Sequence, residues 1–250
     1  LCNLKATTIL KLLNYPITKL QNFPMLLLAI DTSGKHGSLA LARGASGRSE
    51  IDILETVPLT GGAFSAELVP QIAALLEKHG HSKRDLGAFA VVNGPGSFTG
   101  LRVGLAAIKG LAEALEKPIV SISLLEAVAR GSVSRDPVLG VLDAGRGDVY
   151  VGDYELAPQL CMHSERLLNR EALIAEAKST DRHVVTPDSV LAETLQAAGV
   201  RVELIEYPNS AVIARLGWER LQSGGTVRPE DLEANYIRQS DAEIFAKPAR

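Results

Sequence analysis

Asn93-Gly94-Pro95-Gly96-Ser97-Phe98-Thr99-Gly100-Leu101-Arg102-Val103-Gly104 joins an apolar run, Ala88 to Val92, to a helical pattern that extends to about Leu115. The run predicts a buried strand. Ser97 or Thr99 predicts the helix start, since a hydroxyl there satisfies N–H groups that a first helical turn leaves unpaired. Strand, glycine-rich turn and helix in that order indicate an α/β protein. Two uses of the turn stay open: a tight connection, because glycine allows sharp turns and close approach, or an anion cradle, because free N–H groups and the helix dipole point at one place. The Gly94/Gly96/Gly100 spacing is not the dinucleotide fingerprint, and no Gly-Lys-Ser/Thr follows as a Walker loop needs.

Along the predicted helix, Gly100, Gly104, Ala107, Leu111 and Ala114 recur every three or four residues, which predicts a row of mostly small side chains on one face. Such a face packs either on the protein's own sheet or against a helix of another subunit.

The 250 residues suit two modest α/β lobes or one large domain. A net charge of -3 and a pI near 6.0 leave no basic footprint for tight, autonomous nucleic-acid binding. Cys2 and Cys161 lie far apart and form neither a metal motif nor a disulfide framework, which fits a reducing cytosol. No apolar run reaches the roughly eighteen residues a membrane span needs. Leu1 to Pro24 carry three lysines, no acidic residue and no signal-type core. The expectation is that this extension, residues 1–24, is disordered or a start-site artefact and that Met25 opens the first strand.

From Met25 onward the punctuation is that of alternating strands and helices. Leu26 to Ile30, the turn Asp31-Thr32-Ser33-Gly34 and Gly37 to Ala42 predict a hairpin, Ile51 to Pro58 a third strand, Ser65 to Lys78 an amphipathic helix, and Leu124 to Arg130 a second one. Val138 to Val151 repeats the opening pattern of apolar strand, terminal Asp (Asp143), glycine turn and second strand. Helices are predicted over 171–178, 189–198 and 210–223, with strands over 183–186 and 200–205. This repetition favours a duplicated two-lobe fold, residues 25–130 and 131–250, over a single doubly wound sheet.

Leu28-Ala29-Ile30-Asp31-Thr32-Ser33, the glycine stretch with Lys109-Gly110-Leu111-Ala112, and Leu142 to Tyr150 together resemble the TsaB (YeaZ) family, the bacterial tRNA threonylcarbamoyladenosine biosynthesis subunits. The resemblance runs from about Met25 to Arg238 and includes Asn235-Tyr236-Ile237-Arg238, similar to that family's Pro-x-Tyr-Leu-Arg ending. It implies two ribonuclease-H-like lobes of the actin/Hsp70/sugar-kinase (ASKHA) type, the second reduced. It also implies a cytoplasmic, non-catalytic scaffold that pairs with the catalytic paralogue TsaD and the ATPase TsaE. Their joint product is a threonylcarbamoyl group on the adenosine next to the anticodon of tRNAs reading codons that start with A, with tRNA met only through the complex. A homodimer is implied as well, built like the TsaD pair from Ser65 to Lys78 and Thr99 to Leu115. The interface residues implied are Ser65, Leu68, Ile72, Phe98, Leu101, Gly104, Leu105, Ala107 and Leu111.

The chain's own chemistry favours no catalytic and no metal-binding residue. A His-x-x-x-His pair, which could converge on one ion from a helical face, does not occur. His79 and His81 read as solvated loop residues, while His36, His163 and His183 stand alone. An older peptidase label attaches to the family, yet no Cys–His pairing, zinc motif or serine with a recognisable base appears. Asp31, Thr32, Ser33 and Asp143 could line a vestigial nucleotide cleft, with each Asp orienting a magnesium-bound water. The preferred alternative is that each Asp caps its own turn, so that no cofactor is required and nucleotide binding is weak. Phe64-Ser65 replaces a family His-Ser, and Thr186-Pro187-Asp188 stands where a glycine-rich turn is usual, which weakens nucleotide contacts from the second lobe. A small-metabolite kinase of the same superfamily is the rival reading; it needs an adenosine-binding glycine motif in that lobe.

Overall fold

The computed structural model describes residues 24–45, 47–157 and 160–238. The expectation for residues 1–24 lies outside them except at Pro24, which already belongs to the first strand. The first half contains β1 (Pro24–Asp31), β2 (His36–Ala45), β3 (Ile51–Thr60), α1 (Phe64–Lys78), β4 (Leu86–Gly94), α2 (Phe98–Leu115), β5 (Ile119–Ser123) and α3 (Leu124–Ala129). The second contains β6 (Val138–Gly145), β7 (Asp148–Glu155), β8 (Cys161–Asn169), α4 (Arg170–Thr180), β9 (His183–Thr186), α5 (Ser189–Ala197), β10 (Val202–Leu204) and α6 (Ser210–Gln222).

Two five-stranded sheets result, ordered β3-β2-β1-β4-β5 and β8-β7-β6-β9-β10, so the lobes share one topology. In each, the first strand is antiparallel to the second (Asp31 opposite Ser38, Asp143 opposite Val149) and parallel to the fourth. These are the two ribonuclease-H-like lobes that the resemblance implies. The reduction of the second is visible in strand length: β9 and β10 have four and three residues, against nine and five for β4 and β5.

Alternation along β1 sets the layers. Leu26, Leu28 and Ile30 pack beneath α1 and α2, whereas Leu27 and Ala29 face α6 on the other side. A sheet buried on both faces reads as a near-continuous apolar run, which is how β1 and β4 look in sequence. β5 and β8 escape the sequence pattern. β5 has only five residues and runs straight into α3, and β8 is an edge strand whose residues are exposed or half-buried.

The sequential division at residue 130 is not the spatial one. α3 lies on β6 and β7 of the second sheet, and α6 returns to cover β1, β2 and β4 of the first. Ser210 at the start of α6 donates its N–H to Ser38 Oγ on β2 at 2.8 Å. Beyond α6, Val227 N–H donates to Ile119 O at 2.8 Å and Asn235 N–H to Asn93 O at 2.7 Å, both on the first lobe. The physical reason is reciprocal covering: each open sheet needs helices on both faces, and each lobe takes one of them from the other half of the chain.

Candidate functional site

A cleft of about 1160 Å³ opens where the carboxyl ends of β1, β4 and β6 meet, bounded by Ser33 and Ser97 on one side and by Leu142, Asp143 and Ala144 on the other. Its place is set by topology, because strand ends in an open α/β sheet leave a crevice that no helix covers. Asp31-Thr32-Ser33 lies at one end of it, with Ser33 in its lining. All three residues are buried. Asp31 Oδ1 accepts from the Ser33 N–H at 2.8 Å and from Ser33 Oγ at 2.6 Å, an Asx-type turn. Asp31 Oδ2 has no hydrogen-bond partner among the described residues. Burial pushes the Asp31 carboxyl up to about 6 against the opposing pull of the two Ser33 donors. Burial and the nearby Asp31 charge push the Tyr207 phenol up, against the pull of a hydrogen bond with Ser33.

The glycine stretch is built against this turn. A Cβ at Gly96 would stand 2.3 Å from Ser33 O, one at Gly100 would stand 2.1 Å from Thr32 O, and one at Gly104 would stand 2.3 Å from Thr32 Oγ1. Close approach, rather than an anion, therefore explains these three glycines. The polar groups are used in the same contact: Thr32 Oγ1 donates to Gly100 O at 2.8 Å and Ser97 N–H to Ser33 O at 2.6 Å. Ser97, not Thr99, caps α2, accepting from Gly100 N–H at 3.3 Å. Gly94 differs in having a φ of 136°, and a Cβ there would meet Asn235 O at 2.6 Å.

Asp143, the counterpart of Asp31, behaves otherwise. Its side chain keeps 38% of its exposure and pairs with Arg170 at 3.3 Å. It lines the cleft, as does Asp188, whose carboxylate caps α5 by accepting from Leu191 N–H at 3.0 Å. Lys35 is the cation among the cleft-lining residues, opposite these two carboxylates.

The residues named for a partner interface fall into two groups. Leu68, Ile72, Leu101, Gly104 and Leu105 are buried in the first lobe's own core with Leu28, Ile30 and Phe89. They present no surface, because the apolar stripe of an amphipathic helix faces its own sheet first. Phe98, Ala107 and Leu111 are half-buried, and Ser65 is exposed at the cleft. The row through Gly100 and Gly104 thus begins inside the protein rather than on a solvent face. The exposed sides of the adjacent helices α1 and α2 carry Ala66, Val69, Pro70, Ala73 and Ala74, and Ala106, Gly110 and Ala114, with Val69 62% exposed.

The histidines are less isolated than their spacing implies. His79 Nε2 lies 2.8 Å from Glu55 Oε2, His163 lies 3.6 Å from Glu155, and His183 lies 3.5 Å from Glu203. His81 is a half-buried loop residue whose Nε2 is shielded from solvent without a hydrogen-bond partner among the described residues. Lys78 and His79 hold the Glu55 carboxyl below its usual range. Among the described residues no three His, Cys, Asp or Glu side chains gather as a metal-ligand set. Among those residues, too, no helix is long and apolar enough to cross a membrane. Sequence reading missed Tyr207, which sits in a loop without any motif, and Asp188, whose position just before a helix is the ordinary signal of a cap.

Residues 58–174 match the family model described as TsaD, tRNA N6-adenosine threonylcarbamoyltransferase. The tRNA threonylcarbamoyladenosine biosynthesis protein TsaB of Escherichia coli is 31% identical over 144 residues, 56% of this chain and 60% of that protein. Its namesake from Bacillus subtilis is 35% identical over 132 residues, 52% of this chain and 56% of that protein. The chain thus spans little more than half the length of the curated relatives it matches. Among solved structures, YeaZ from Pseudomonas aeruginosa superposes with a TM-score of 0.69 at 26% identity, covering 85% of this chain and 99% of that one.

Proposed function

From its similarity to TsaB and YeaZ proteins we propose that the chain is a member of that family and the non-catalytic scaffold and activator of a cytoplasmic complex that modifies tRNA. In this reading it binds a TsaD-type catalytic subunit, with TsaE as third member, and meets tRNA only through them. The complex transfers threonylcarbamoyl to the adenosine next to the anticodon. The observation that carries the reading is the set of exposed apolar residues on the two adjacent helices α1 and α2, since apolar groups left on a folded surface suit a place where another protein sits. Its small residues allow a partner helix to approach closely, and the same surface serves the homodimer.

The test is reconstitution of tRNA threonylcarbamoylation from TsaD, TsaE and the adenylate-forming enzyme, with and without this protein. Modification that depends on its presence supports the proposal; partners shown competent with another activator but inert with this one would sink it. Val69→Glu or Ala106→Glu places a charge on the exposed face and should weaken TsaD binding by roughly tenfold or more, with the melting temperature unchanged. Full affinity in both variants would move the interface elsewhere.

On this reading no cofactor is required. Any adenine nucleotide in the cleft binds weakly, with a Kd above about 1 mM, because the cleft lining offers two carboxylates, Asp143 and Asp188, against the one cation Lys35, and the nearby Arg170 is engaged by Asp143. Equilibrium dialysis with magnesium ATP and ADP decides the point, and micromolar binding or phosphorylation of a small metabolite would restore the kinase reading.

A further inference from the structure

Asn235-Tyr236-Ile237-Arg238 touches both lobes within four residues. Asn235 N–H donates to Asn93 O at 2.7 Å, immediately before the glycine turn, and Asn235 O fills the space that a Cβ on Gly94 would need. The Tyr236 ring stacks on Phe98 with centroids 4.6 Å apart, and its hydroxyl accepts from Arg102 Nε at 3.1 Å while the Arg102 guanidinium lies 3.7 Å from the Phe98 ring centroid. Phe98 and Arg102 belong to the first turns of α2. Arg238 reaches the other lobe: it donates to Ala144 O at 2.8 Å and to Gly145 O at 3.3 Å, and pairs with Asp148, all in the β6–β7 hairpin.

A second tie runs behind the first. Asn235 Nδ2 donates to Glu165 on β8, and Glu165 also accepts from Ser123 Oγ at the end of β5 and from the Tyr154 hydroxyl on β7. Glu165 is thus held by one donor from the first lobe, one from the second and one from the terminal segment. Burial and the Glu165 charge push the Tyr154 phenol far up, which keeps it a donor.

From this geometry we infer that residues 235–238 form a clasp that joins the two walls of the cleft, Gly94 to Arg102 on one side and Ala144 to Asp148 on the other, and holds them at a fixed separation. Gly94 is glycine so that the clasp can seat. Hydrogen bonds shared by one short segment break together, so releasing either end should release the other. The inference does not depend on any partner or on the proposed function, because it concerns the isolated chain.

Amide hydrogen exchange on the full chain tests it with Arg238→Ala and Tyr236→Ala. Arg238→Ala alters only the second-lobe end, yet it should speed exchange at the Asn235 amide and across Asn93 to Arg102 by about tenfold. Tyr236→Ala removes the ring contact with Phe98 and the hydrogen bond from Arg102, the first-lobe end, and should do the same across Ala144 to Asp148. Both side chains keep part of their exposure, so melting by circular dichroism should stay cooperative. Faster exchange in the lobe remote from each substitution establishes the clasp. Changes confined to the substituted end in both variants would overturn it, leaving two unconnected surface contacts.

Discussion

The two lobes share strand order, hairpin geometry and an aspartate at the end of the first strand, but they treat that aspartate in opposite ways. Asp31 is fully buried with one orphan oxygen, whereas Asp143 stays at the surface and pairs with Arg170. The difference lies in the connection that leaves the fourth strand of each sheet. After β4, Gly96, Gly100 and Gly104 let the loop and α2 drop onto Ser33 and Thr32, sealing the strand end. After β9, Thr186-Pro187-Asp188 turns into α5 with Asp188 as its cap and no glycine to permit such an approach. Equal topology therefore does not produce equal sites; the burial of one carboxylate depends on a few missing Cβ atoms far away in sequence.

Adding those atoms should have the largest effect. Gly104→Leu would drive a side chain into Thr32, and Gly100→Ala would place a Cβ against backbone that cannot rotate away. Each should cost about 3 kcal/mol or more in urea unfolding, with loss of fold for the leucine. A fully stable Gly100→Ala protein would mean that the glycines do not govern the contact. Because Gly104 is internal, Gly104→Leu cannot report on partner binding, which is why Val69 and Ala106 are the informative positions.

Next in size is Asp31→Asn. The folded carboxyl titrates near 6 against an ordinary value of 3.8, so the cost of burying its charge is fully present above pH 6 and vanishes below the unfolded value. The difference corresponds to at most about 3 kcal/mol. Asp31→Asn should therefore be more stable than wild type at pH 7.5, and the gap should close as pH falls toward 4. A gap that widens on acidification would show that the carboxylate is stabilised by a partner at Oδ2. TsaD pairing and tRNA modification should be nearly unaffected; their collapse with folding intact would revive a ligand-binding role for Asp31.

Asp143→Asn is the matching control in the second lobe. Its exposed pairing with Arg170 contributes little, so stability should change by less than about 0.5 kcal/mol. A loss as large as that expected for the glycine variants would erase the contrast between the lobes. The smallest effect belongs to Gly110→Ala, on the same helix as Gly100 but with open space around a new Cβ. It should raise stability by roughly 0.5–1 kcal/mol through helix propensity alone. A loss there would mean that α2 tolerates no added Cβ, wherever it points.

Much of this fold was legible because apolar runs and helical periods are local properties. β1, β4, the opening hairpin of each lobe and five of the longer helices arise from them. The edge strand β8 was not legible, since half-exposed residues carry no alternation, and β5 was too short to separate from α3. The helix face was only half readable. Three- and four-residue spacing places Gly100, Gly104 and Ala107 on related sides of α2, but it does not say which arc of the helix the sheet consumes. Gly100 and Gly104 turned inward toward Thr32, which left Ala106 and Gly110 outside.

The sequence by itself determined the duplicated strand-Asp-turn-strand plan, the glycine-rich junction and the family resemblance that both carry, because these rest on residue types at fixed short spacings. Tertiary structure alone decided that α3 and α6 cross to cover the opposite sheets, that one aspartate is sealed and its twin is not, and that Asn235 and Arg238 tie the lobes together. Those outcomes depend on contacts between residues about ninety to one hundred and seventy positions apart, whose distances are set by packing two whole sheets against shared helices and leave no mark in any local pattern.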